Sequence, residues 1–102
     1  MEIYYSNKNF KITFNLVGEL DEFCAEEVKN ALDKIITDNK PQEIVFDLQR
    51  LTFTDSTGVG VLIGRYKTAK KSGCKVFITN VSRAVDKIFS MAGLYTIMPK
   101  IN

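Results

Sequence analysis

The chain has 102 residues, 45% of them hydrophobic and 25% charged, enough for one compact domain spanning 1–102 and too little for two. Fourteen lysines and arginines against twelve aspartates and glutamates leave a formal charge of +2. That is too small to make nucleic acid or an acidic membrane the main partner, because both demand a concentrated basic face.

The two cysteines, Cys24 and Cys74, lack CxxC spacing and have no histidine with which to share a metal. Reduced thiols in a cytoplasmic protein are therefore expected, with no metal site and no signal peptide ahead of them. The longest apolar run, "VGVLIG", is stopped by Arg65 and falls far short of the roughly 20 residues a membrane-spanning helix requires.

In chain order, "EIYY" reads as a short strand and "SNKN" as a turn. Phe10, Ile12, Phe14 and Leu16 then alternate with Lys11, Thr13 and Asn15, the period of a half-buried strand, so an N-terminal hairpin is expected. After "GELD", Val28, Ala31, Leu32, Ile35 and Ile36 fall on one helical stripe, which predicts a helix from about residue 22 to 37 that Asn39 and Pro41 end. "EIVFDL" is apolar on both faces and belongs inside a sheet.

A second helix is predicted from about residue 57 to 72, with Gly73 as its stop and "KVFIT" as the next strand. Its lysines, Lys67, Lys70 and Lys71, sit in the last turns, where cations complement the helix dipole. Ser82 caps a third helix carrying Val85, Ile88, Phe89 and Ala92 on one face; Gly93 ends it, and Leu94 is placed for a Schellman contact. "YTIM" reads as a last edge strand stopped by Pro99. The order β-β-α-β-α-β-α-β describes an α/β domain with a mixed four- to five-stranded sheet and helices mainly on one face.

In such sheets, sites form where strands end and helices begin, which is where "RLTFTDSTGVGVLIG" lies. Absence of histidine removes Ser-His catalysis, a His-ligated metal and His acid-base chemistry. Gly58, Gly60 and Gly64 read GxGxxxG, one residue longer than the dinucleotide fingerprint, and no phosphate-loop pattern accompanies them. No cofactor is expected, and a conventional enzyme is disfavoured.

Asp55, Ser56 and Thr57 can each cap the helix, but one cap accounts for one of the three. Glycine in a helix costs roughly 1 kcal/mol relative to alanine, and in a first turn it lets another backbone or another protein come close.

"LTFTDSTGVGVLIGRYK", with "GELD" upstream and "SRAVDKIFSMAGL" downstream, closely resembles the bacterial anti-sigma factor antagonists, small cytoplasmic members of the STAS domain family. The resemblance spans almost the whole chain, and "GRYK" leans toward the sporulation type. What it implies is the STAS fold and a partner switch. The unphosphorylated protein would bind an anti-sigma factor that is also an ATP-dependent serine kinase, freeing the sigma factor, and a separate serine phosphatase would reverse the modification.

By the same resemblance, Ser56 is the phosphoacceptor and Asp21 an acidic neighbour. Asp55, Thr57, Gly58, Val59 and Gly60 join them as partner-binding residues, the free protein being a monomer. The alternatives are a general-stress-type antagonist or a STAS scaffold or sensor that is never phosphorylated. A hydrolase using Ser56 is a further rival that the missing histidine weakens.

Overall fold

A computed structural model describes residues 1–101. β1 (Glu2–Lys8) and β2 (Lys11–Leu20) form the expected hairpin, paired antiparallel from Glu2 with Val17 to Lys8 with Lys11. After the hairpin come α1 (Ala25–Asn39), β3 (Glu43–Asp47), β4 (Leu51–Thr54), α2 (Ser56–Lys71), β5 (Lys75–Thr79), α3 (Arg83–Met91) and a 3₁₀ turn at Leu94–Thr96.

The sheet has five strands in the order β1-β2-β3-β5, with β4 paired to β2 beyond the end of β3. β3, β4 and β5 all join by parallel pairing.

Register explains the core. Ile12 lies opposite Ile44 and Ile44 opposite Val76, while Phe14 lies opposite Phe46 and Phe46 opposite Ile78. Side chains alternate faces along a strand, so these rows share one face, and their rings and branches merge with Val28, Leu32, Val61, Leu62, Val85 and Phe89 from the three helices into one buried cluster. The Phe14 and Phe46 rings stack with centroids 5.4 Å apart. α1 and α2 are also joined by charge. Arg65 Nε lies 2.8 Å from Asp33 Oδ1, off the N–H axis, so the contact is ionic, and Arg65 Nη1 is buried without an acceptor among the described residues.

Three elements depart from expectation. β4 lies where the sequence pattern shows only a loop: its four residues "LTFT" are too few to show a period, and its pairing depends on a bulge that the sequence does not announce. At Gly18, where φ is 110°, β2 changes partner from β3 to β4, and the Gly18 amide donates to Arg50 O at 3.0 Å.

α1 begins at Ala25 rather than Glu22, because residues 21–24 form a turn whose amides are taken by side chains. The strand expected at "YTIM" is instead the 3₁₀ turn. Gly93, at φ 74°, redirects the chain, and Leu94 and Met98 are both fully buried, four residues apart as in a helix. Tyr95 hydroxyl donates to Asp86 and fixes this turn to α3. The strand-like contact comes just past it, where Lys100 bridges parallel to Ile78.

Candidate functional site

β2 and β4 end side by side, Leu20 opposite Thr54, and each chain then turns into a helix. Thr54 is buried and its hydroxyl donates to Leu20 O at 2.9 Å, tying the two strand ends together. Asp55 joins the two turns that lead from those ends into the helices. Its Oδ1 accepts the Gly58 amide at 2.9 Å, which caps α2, and its Oδ2 accepts the Glu22 amide at 2.9 Å, which reaches across to the turn before α1. The Gly58 amide, helped by that of Glu22 and opposed by partial desolvation, holds the Asp55 carboxyl below the usual carboxylate range.

Asp21 shapes the second half of the turn before α1. Its Oδ1 accepts the amides of Phe23 at 3.1 Å and Cys24 at 3.3 Å, while Cys24, at the N-cap of α1, makes no side-chain cap. Asp21 and the start of α2 are thereby connected through two carboxylates and the backbone between them.

With Asp55 as the cap, Ser56 becomes the first residue of α2. It is exposed, and its hydroxyl has no hydrogen-bond partner among the described residues. Thr57 beside it is exposed too. Among the described residues no base is hydrogen-bonded to the hydroxyl; the adjacent carboxylate is already committed to two amides, and the chain contains no histidine. The arrangement presents an alcohol at the positive end of a helix dipole, where a phosphate can be accommodated electrostatically.

The glycines separate into two kinds. A Cβ on Gly58 would lie 2.2 Å from Leu20 O and 2.3 Å from Thr54 Oγ1, so this glycine lets the first turn of α2 sit against the strand ends. A Cβ on Gly60 or Gly64 would meet nothing within 4 Å, so neither is demanded by packing.

Gly58 and Val59, expected on the docking surface, are instead buried, Val59 at 3% exposure within the core. The helix turns them inward, and what remains accessible is Asp21, Asp55, Ser56, Thr57 and Gly60. The sequence pattern gives no sign of Thr54, whose hydroxyl acquires a duty only once β2 and β4 pair. Nor does it single out Phe23, which is 90% exposed in the turn held by Asp21 and Asp55.

Fold and site together define a small α/β domain of the STAS type. The STAS domain model matches residues 3–102. An anti-sigma F factor antagonist from Paenibacillus polymyxa is 37% identical over 84 residues, which cover 82% of this chain and 72% of that protein. An anti-sigma-B factor antagonist from Bacillus subtilis strain 168 is 30% identical over 87 residues, covering 85% and 78%. The solved structure of the anti-sigma factor antagonist SpoIIAA in its unphosphorylated form superposes with a TM-score of 0.82 at 25% identity, covering 99% of this chain and 89% of that one. The chain belongs to the STAS family and, within it, to the anti-sigma factor antagonists. Among the described residues no helix is long and apolar enough to cross a membrane.

Proposed function

We propose that this antagonist is a partner switch of the sporulation type, controlled by phosphorylation of Ser56. Unphosphorylated, it binds an anti-sigma factor that carries serine kinase activity and so releases a sigma factor. The kinase transfers the γ-phosphoryl group of its ATP to Ser56, and a serine phosphatase restores the active form. The contact surface comprises Asp21, Asp55, Ser56, Thr57 and Gly60, with Gly58 and Val59 setting its shape from beneath. The protein works as a cytoplasmic monomer when free.

The observation that carries this reading is that Asp55, not Ser56, caps α2, which leaves the Ser56 hydroxyl exposed with no structural duty. Phosphorylation there adds about −1.5 to −2 charge at a helix N-terminus, which tolerates it. The same charge beside Asp21 and Asp55 opposes burial against a partner. The 37% identity to one anti-sigma F antagonist supports the sporulation type, while a second, at 29%, stands level with the anti-sigma-B antagonist at 30%.

The test is to incubate the protein with ATP and each anti-sigma factor kinase of the source organism, and to locate the phosphate by mass spectrometry. Modification at Ser56 with loss of binding is expected. Undiminished binding by the phosphorylated protein refutes the switch, and phosphate on Thr57 alone moves the acceptor.

A further inference from the structure

Single exposed apolar side chains are common on protein surfaces and ordinarily carry no message. Phe23 differs in how it is held. Its ring is 90% exposed, yet the backbone that presents it is pinned on both sides. The Glu22 amide goes to Asp55 Oδ2 at 2.9 Å, and the amides of Phe23 and Cys24 both go to Asp21 Oδ1. The residue pinning the near side is the one that directly precedes Ser56. An aromatic ring fixed at its base and free in solvent loses little conformational entropy when a partner covers it, and buried aromatic anchors are what concentrate binding energy in interfaces.

The surroundings add a charge signature. Between Lys11 and Lys29 the chain carries Glu19, Asp21, Glu22, Glu26 and Glu27 and no lysine or arginine. Glu19, Glu22, Glu26 and Glu27 are exposed, and Glu26 and Glu27 occupy the first turn of α1. The ring therefore belongs to a stretch of chain whose charged side chains are all acidic, and a surface that covers it must offset that charge.

We propose that Phe23 is the apolar anchor of the docking surface, inserting into a hydrophobic pocket of the anti-sigma factor whose rim carries lysine or arginine. This rests on the partner-switch reading and extends its contact surface from α2 across to the turn before α1. Because Asp55, the residue directly before the phosphoacceptor, accepts the Glu22 amide of that turn, the anchor and the switch occupy one contiguous face. Phosphate on Ser56 then adds to the negative charge of an acidic stretch that the partner must already neutralise.

The experiment titrates wild type, Phe23→Ala, Phe23→Leu and the double variant Glu26→Lys/Glu27→Lys with the anti-sigma factor kinase that modifies the wild-type protein. Phe23→Ala is expected to weaken binding about tenfold or more with an unchanged melting temperature, since the ring contacts little of its own fold. Phe23→Leu should recover much of the loss. The lysine pair should bind more weakly, with a reduced association rate at low salt, and raised salt should narrow its difference from wild type. Affinity of Phe23→Ala equal to wild type overturns the anchor while leaving the switch intact, and tighter binding by the lysine pair overturns the basic rim. A wild-type protein that no anti-sigma factor binds or phosphorylates overturns the parent reading instead.

Discussion

Alanine at Gly58 and alanine at Gly60 should move stability in opposite directions, although both are glycine-to-alanine changes within one helical turn. At Gly60 the new methyl meets nothing within 4 Å, so the change keeps only the gain in helix propensity, up to about 1 kcal/mol. At Gly58 the methyl would arrive 2.2 Å from a strand carbonyl and 2.3 Å from a buried hydroxyl, where ordinary contact begins at 3.4 Å. Neither neighbour is the tip of a flexible chain: Leu20 O is fixed by strand pairing, and Thr54 Oγ1 is fixed by its bond to that same oxygen.

Relief therefore requires the first turn of α2 to lift. Overpacking of this kind costs about 1–3 kcal/mol, and parting the buried Thr54 hydroxyl from Leu20 O costs about 1–3 kcal/mol more. Less the propensity gain, Gly58→Ala loses about 1–5 kcal/mol. At roughly 4–8 °C per kcal/mol for a domain of this size, its melting temperature falls by at least about 4 °C while that of Gly60→Ala rises by a few degrees. Thermal unfolding measured by circular dichroism reads both. A Gly58→Ala protein that melts with wild type would refute the claim that this glycine is a steric requirement of the junction.

Ser56→Ala should change stability by less than about 0.5 kcal/mol, the usual range for an exposed surface site, because the cap belongs to Asp55; chemical denaturation reads this, and the variant should still bind the anti-sigma factor. Asp55→Asn keeps an acceptor for the Gly58 amide but removes a carboxylate whose pKa folding depresses. A depressed carboxylate stabilises the fold above its unfolded pKa and ceases to as pH falls through the folded one, so melting temperatures below about pH 4 should fall less steeply in this variant than in wild type. Asp33→Ala strands Arg65, which is only 7% exposed and has no other ionic partner among the described residues, and should cost about 1–3 kcal/mol by urea denaturation.

Periodicity alone determined much of this protein. Alternation in β2, the stripe of α1 and the Ser82 and Gly93 signals bounding α3 depend on neighbours in sequence, and each element formed over those residues, although α1 starts at Ala25 rather than Glu22. The junction at "TDSTG" was likewise legible, because a hydroxyl-rich step from strand to helix is a local arrangement. What tertiary structure decided were the matters that depend on distant partners. β4 exists because the bulge at Gly18 hands β2 from one neighbour to another, and "YTIM" is a turn because Leu94 and Met98 are drawn into the same core and Tyr95 reaches Asp86. Three adjacent residues could each have capped α2, and nothing local ranks them. The choice fell to Asp55 because only a carboxylate has a second oxygen free to accept the Glu22 amide, 33 residues earlier in the chain, which joins the two loops and leaves Ser56 exposed to solvent.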